Sequence, residues 1–246
     1  MDRPAHSPEA IAREMDRYGF YCAEGLVPDA AMADCRAAVN AILGRYGNRP
    51  LSLIQPWKEY SAFAEVANSA QLQELLPQLS SIGGCTQLGE LYNVVRIVSG
   101  HDKQQRAAFA FHYDSTVITA LVPLFVPDGA PEVAGDFICF PNNRPLRRFG
   151  WVNLIEKAVM QNGVARKWFA HLAMRRDSRV KLIKLVPGNI YFFWGYRTLH
   201  ANFTCAPNVL RATLLFHFGD PHANSFLIRL ILRLRKYRVR RAMARS

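Results

Sequence analysis

From residue 86 onward the chain breaks repeatedly into short runs rich in β-branched and aromatic residues. ELYNVVRIV, AFAFHYDSTVITALVPLFV, DFICF, KLIKLV, NIYFFWG and RATLLFHF are separated by PDGAPE, PNNRP, VPGN and CAPN. Most of the runs are too short for ordinary helices, and the Gly, Pro and Asn clusters between them are turn chemistry. Many short strands joined by tight turns stack into a sandwich or close into a barrel, so the expected fold is mainly β. Residues 146–180 depart from this pattern. WVNLIEKAVMQN and VARKWFAHLAMRR have helical spacing and predict a helical insertion between core strands.

Ahead of this region the periodicity is helical. Residues 8–18 read as a short helix, with Ser7 as N-cap and Pro8 at the first helical position. GFYCAEGLV reads as a strand. Residues 29–46 form an Ala-rich amphipathic helix with Asp29 as the expected cap, and 61–78 carry a weaker helical pattern. No internal repeat is visible. The expected organisation is one domain over 1–222, with N-terminal helices in 8–78, followed by a separate segment at 223–246.

Within the longest apolar run lies FHYDST, residues 111–116. Alternate residues of a strand share a face, so His112 and Asp114 would converge while Tyr113 points away. A bare H-x-D pair is common by chance and is most often a satisfied polar pair. The chain also supplies His200 after an aromatic strand, then Arg211 at the start of the next one, with Thr213 on the same face. Two imidazoles and a carboxylate on one face of an octahedral ion form the facial triad of non-haem iron(II) enzymes, which leaves positions open for other ligands. A buried arginine needs an anionic partner, and its planar fork suits a carboxylate. His217 shares the face of Arg211 and Thr213 by parity, although a core or rim histidine is the simpler reading. His6, His101, His171 and His222 sit in polar or helical contexts with no chemistry attached.

At these residues the sequence resembles the Fe(II)/2-oxoglutarate-dependent dioxygenases, most nearly the phytanoyl-CoA dioxygenase-like group. The resemblance rests on H-Y-D at 112–114, the turn and strand G-x-x-x-F-F at 188–193, His200, R-A-T at 211–213 and the opening helix–YGFYCAEGLV–helix. It implies a double-stranded β-helix core of the jelly-roll or cupin-like kind. It also implies iron(II) held by His112, Asp114 and His200, with 2-oxoglutarate and O₂ as co-substrates. Arg211 would pair with the distal carboxylate of 2-oxoglutarate, assisted by Thr213. The acid at 114 speaks against the halogenating variants, in which a small residue opens a halide site. An arginine anchor separates the chain from the prolyl-hydroxylase-type and histone-demethylase-type members, which use lysine. Nucleic-acid demethylases of the AlkB type carry a second arginine six residues after the first; in this chain that position is His217.

Charge bears on the partner. The net charge of +12 is concentrated in two segments: 144–184 holds 11 Lys/Arg against 2 Asp/Glu, and 221–246 holds 8 against none. Such asymmetry points to an anionic substrate or surface. On a helix, Arg229, Arg233, Lys236 and Arg240 would form a basic stripe beside Phe226, Leu227, Leu230, Ile231 and Leu234. Residues 225–245 therefore read as a basic amphipathic helix for an anionic membrane surface, with a helix docked on the barrel as the structural alternative. Nucleic acid is the weakest partner reading.

The five scattered cysteines show no metal or disulfide spacing, the N-terminal residues lack a signal-peptide pattern, and no window is long and apolar enough to span a bilayer. The expected setting is cytoplasmic, with peripheral attachment to the membrane face. The competing function is a catalytically idle barrel serving as a peripheral membrane or anion-binding module, and retention of all four site residues argues against it.

Overall fold

The computed structural model describes residues 7–85, 91–99, 108–145, 156, 159–160, 162–206 and 209–221. The basic segment at 225–245 and most of 146–161 lie outside the described residues. Two antiparallel sheets face each other. The larger has the order β1 (Tyr21–Ala23), β7 (Ile190–Phe193), β4 (Ile118–Phe125), β9 (Leu210–Phe218), β3 (Tyr92–Ser99), β2 (Leu51–Ile54). The smaller has the order β6 (Lys181–Ile183), β5 (Phe137–Phe140), β8 (Leu199–Asn202). An antiparallel bridge between His112 and His200 extends the smaller sheet by one chain, with reciprocal N–H to C=O bonds of 3.0 Å. This is a double-stranded β-helix core with flanking helices, as expected.

Strand parity sorts the layers. On β4, β7 and β9 the residues Ile118, Ala120, Val122, Leu124, Ile190, Phe192, Ala212, Leu214 and Phe216 face away from the smaller sheet into a buried cluster. Helices α1 (Pro8–Tyr18), α2 (Asp29–Tyr46), α3 (Ser61–Ala67) and α4 (Ala70–Ile82) cover that cluster. Ile11, Ala12 and Met15 form the buried stripe of α1, and Met32, Cys35, Val39 and Ile42 that of α2, at spacings of three and four. Each fully buried Leu, Ile or Phe side chain contributes about 1.5–3 kcal/mol. On the opposite side, Gly163–Met174 forms α6, after the single turn α5 (Pro131–Ala134). Phe169, Leu172 and Ala173 of α6 pack on Phe111, Ile138, Phe140, Leu199 and Ala201 of the smaller sheet. The helical part of the insertion thus caps that sheet.

Several expectations need correction. Ser7 does cap α1, accepting from the Ala10 N–H at 3.2 Å. Asp29 does not cap α2: Pro28 occupies the cap position without a side-chain bond, and Asp29 sits in the first turn, where its charge still complements the helix dipole. The 61–78 pattern resolves into α3 and α4, divided at Asn68 and Ser69. The run AFAFHYDSTVITALVPLFV is not one strand. His112 bridges to the smaller sheet while Ile118 opens β4 in the larger, so residues 113–117 carry the chain between sheets. The strands β2 and β8 were not anticipated, and β8 is what makes His200 a sheet residue rather than a loop histidine. Pro123, unusual inside a central strand, sits at a register shift between β4 and β9, where one ladder bond is already lost. Among the described residues no helix is long and apolar enough to cross a membrane.

Candidate metal centre

The faces of the two sheets that look at each other carry the polar residues. Arg96 of β3, Thr119 of β4, Arg211, Thr213 and His217 of β9, and His200 and Asn202 of β8 line one cavity with His112 and Asp114. Leu121, Phe137, Phe193 and Leu215 complete its wall. Asp114 lies on the crossover from the smaller sheet to β4 and touches the return crossover after β7. Its N–H donates to the Gly195 carbonyl at 2.9 Å. A Cβ at Gly195 would come within 2.7 Å of Asp114 Oδ2 and 2.5 Å of Thr119 Oγ1, so only glycine admits the carboxylate at this point.

His112, Asp114 and His200 offer ligand atoms that all lie within 4.8 Å of one another. Asp114 Oδ1 is 3.8 Å from His112 Nε2 and 3.7 Å from His200 Nε2. Adjacent ligands on an octahedral ion with bonds near 2.1 Å are roughly 3 Å apart, so a modest contraction brings these atoms onto one metal. The other ring nitrogens are engaged. His112 Nδ1 lies 2.8 Å from the Ala110 carbonyl and His200 Nδ1 3.0 Å from the Thr198 carbonyl. A carbonyl only accepts, so each Nδ1 carries the proton and each Nε2 presents its lone pair to the centre. The His112 side chain is 30% exposed, against 9% for Asp114 and 8% for His200, which places the opening on the His112 side.

The electrostatics suit a cation. Burial would raise the Asp114 carboxyl, but the imidazoles of His200, His217 and His112 and the Thr119 hydroxyl outweigh it and hold the acid at about 2. Burial pushes His112 down to about 4, aided by His200, and also lowers His200. The cluster is therefore an ionised carboxylate between two neutral imidazoles at neutral pH, the protonation state a divalent metal requires.

His217 belongs to this site rather than to the rim or the apolar core. Thr119 Oγ1 lies 2.6 Å from Asp114 Oδ2 and 3.1 Å from His217 Nδ1. A threonine hydroxyl has one proton, which Thr119 donates to the carboxylate, so His217 Nδ1–H donates to Thr119. The relay ties down Oδ2 and leaves Oδ1 for the metal. Thr119→Val should therefore weaken metal binding by about 10–100-fold, the usual cost of losing an outer-shell partner. Metal titration of the two proteins checks this, with a circular dichroism spectrum to show that the fold is retained.

Arg211 is buried in the same cavity, its Nη2 donating to Asn202 Oδ1 at 2.7 Å. Burial, opposed by the Cys205 thiol and Asp136 and aided by Arg96, lowers its guanidinium to about 10. Gly135 makes room for it: its φ is +72°, and an added Cβ would collide with Cys205 Sγ and reach 3.2 Å from Arg211 Cδ. Thr213, also buried, lies two residues along β9 on the same face. Every anticipated site residue thus lines one cavity. Arg96, Thr119, Asn202 and Gly195 were not anticipated. Arg96, a lone charge in YNVVRIV, was a readable anomaly, whereas Thr119, an odd five residues after Asp114, would fall on the opposite face by strand parity and gave no signal. His171 is exposed on α6, away from the cavity lining; His6, His101 and His222 lie outside the described residues.

No protein-family model matches the chain, and no curated protein matches it. Solved structures do. The non-haem alpha-ketoglutarate-dependent epimerase SnoN from nogalamycin biosynthesis has a TM-score of 0.58 at 18% identity, covering 87% of this chain and 83% of its own. HygX from Streptomyces hygroscopicus, solved with nickel and 2-oxoglutarate bound, has a TM-score of 0.59 at 15% identity, with 88% of each chain covered. EctD from S. alaskensis, solved with bound iron, has a TM-score of 0.58 at 14% identity over 89% of this chain and 79% of its own. At these identities the likeness is one of fold: the chain shares the fold of the non-haem iron, 2-oxoglutarate-dependent oxygenases.

Proposed function

We propose that the protein is an iron(II)- and 2-oxoglutarate-dependent dioxygenase that hydroxylates an unactivated C–H bond of an anionic substrate. One O₂ and one 2-oxoglutarate are consumed, giving the hydroxylated product, succinate and CO₂. One observation carries this reading: a converged N, N, O donor set shares a cavity with a buried arginine whose described partner is a neutral amide. The donor set fits iron(II), since two lone-pair nitrogens and a single carboxylate oxygen leave half of an octahedron open. The neighbours HygX and EctD, solved with 2-oxoglutarate and with iron respectively, support the same pairing.

When bound, iron and 2-oxoglutarate together supply the oxidising power for C–H cleavage, which no protein side chain possesses. The chain's own residues position and insulate. His112 Nε2, His200 Nε2 and Asp114 Oδ1 would hold the metal. Arg211, steadied by Asn202, would grip the distal carboxylate of 2-oxoglutarate with its two-pronged donor, and the Thr213 hydroxyl would add a third hydrogen bond. Leu121, Phe137, Phe193 and Leu215 keep bulk water from that pairing, which strengthens it.

The excess of basic residues in 144–184 favours an anionic substrate, with lipid-linked and sugar-linked acids included, and the 225–245 segment would bring the enzyme to an anionic membrane surface. The test is iron-dependent succinate release across a panel of CoA-linked acids, phosphorylated sugars and anionic lipids. At least one class should raise succinate above the substrate-free rate. Complete absence of iron-dependent succinate, with or without panel members, would remove the enzymatic reading in favour of an idle anion-binding barrel.

A further inference from the structure

Arg96 is not among the residues proposed to hold the metal or the co-substrate. It points from β3 into the cavity, with Thr213 as its register partner on β9 and Tyr92 and Val94 on its own face. Burial lowers its guanidinium, with Asp114 as the main opposing charge. Among the described residues it makes no hydrogen bond and no ion pair. A half-buried guanidinium without a hydrogen bond of its own is unfavourable, and this one shares a cavity with a second, Arg211.

The charges around the cavity say what it lacks. Besides the histidines, the charged side chains that line it are Arg96, Arg211 and Asp114. Asp136 is buried nearby but does not line the cavity, and it faces Lys184 as well as Arg211. Iron(II) and dianionic 2-oxoglutarate cancel one another. The two arginines against one aspartate then leave a single positive charge, with Arg211 already assigned to the co-substrate.

We infer that Arg96 is a specificity-determining residue that receives a singly charged oxyanion, a carboxylate or a phosphodiester, carried by the substrate. The inference rests on the dioxygenase reading and names the substrate feature which that reading leaves open. The guanidinium forms two parallel N–H···O bonds to such a group. It thereby places the substrate beside the metal ligands, on the strand adjoining the co-substrate anchor.

Arg96→Gln and Arg96→Lys distinguish this from a structural role. In the metal-free protein, Arg96→Gln should not lower the melting temperature, because Arg96 makes no hydrogen bond or ion pair among the described residues; a drop of several degrees would overturn the inference. With manganese(II) bound, the 2-oxoglutarate affinity measured by calorimetry should be unchanged in Arg96→Gln. A loss of about tenfold or more, the cost of one charge-assisted bond, would make Arg96 a co-substrate anchor and also overturn it. The protein loaded with manganese(II) and 2-oxoglutarate is then titrated with acetate and with dimethyl phosphate. The metal should speed the relaxation of the methyl protons of at least one of them, saturably. Arg96→Gln should abolish the effect and Arg96→Lys retain part of it. Acetate alone indicates a carboxylate and dimethyl phosphate alone a phosphodiester, while no saturable effect from either overturns the inference. If the wild type binds neither manganese nor 2-oxoglutarate, the dioxygenase reading is what fails. The Arg96 claim is then read in the metal-free protein, where either anion should raise the melting temperature of wild type but not of Arg96→Gln.

Discussion

His200→Ala is expected to reduce iron-dependent succinate formation by more than about 100-fold, beyond the usual cost of losing an outer-shell partner. It removes one of three converging donor atoms and leaves His112 as the one imidazole facing Asp114 Oδ1, too few donors to hold iron in competition with water. The fold should survive. His200 is held in β8 by backbone bonds, reciprocally with His112, and these do not depend on its side chain. The lost ring contacts, to Phe193 at 5.0 Å and Phe137 at 5.5 Å between centroids, border a cavity rather than a close-packed core. Metal content by elemental analysis and a thermal melt separate loss of the ligand from loss of the fold. Wild-type iron affinity in this variant would remove His200 from the site.

The second large effect is expected at Arg211. Arg211→Lys keeps the charge but loses the planar fork, and one ammonium group cannot replace the guanidinium at both Asn202 and a carboxylate. Losing a charge-assisted bond of about 1.5–3 kcal/mol raises the 2-oxoglutarate KM by about tenfold or more. The iron affinity should stay as it is, because no ligand atom has moved. Steady-state kinetics over a range of 2-oxoglutarate concentrations give the answer, and an unchanged KM would mean that the far carboxylate is held elsewhere.

The residues that bind could be read from the chain because each is an anomaly. A histidine and an acid two residues apart in an apolar run, and an arginine opening an apolar strand, need a reason to be buried. What could not be read is how they meet. His112 and Asp114 do not share the face of one strand: they straddle a crossover between sheets, because the smaller sheet claims His112 and the larger begins at Ile118. The four-residue strand β8 was hidden for a related reason. LHAN lacks a β-branched run, and its pairing with β5 is a long-range contact that no local pattern encodes. The relay through Thr119 and His217 likewise depends on the alignment of β4 with β9, and Arg96 faces the site only because β3 pairs with β9 in one register. Gly195 looks like an ordinary turn glycine until the Asp114 carboxylate is seen against it.

The central claim is that His112, Asp114 and His200 hold iron(II) while 2-oxoglutarate chelates it beside Arg211. Its most direct test is the visible absorption spectrum of the protein mixed anaerobically with iron(II) and then with 2-oxoglutarate. Wild type should develop a weak charge-transfer band that saturates with 2-oxoglutarate. The band should be absent in His200→Ala and should require more 2-oxoglutarate in Arg211→Lys. No band from wild type at saturating iron and 2-oxoglutarate would contradict the account.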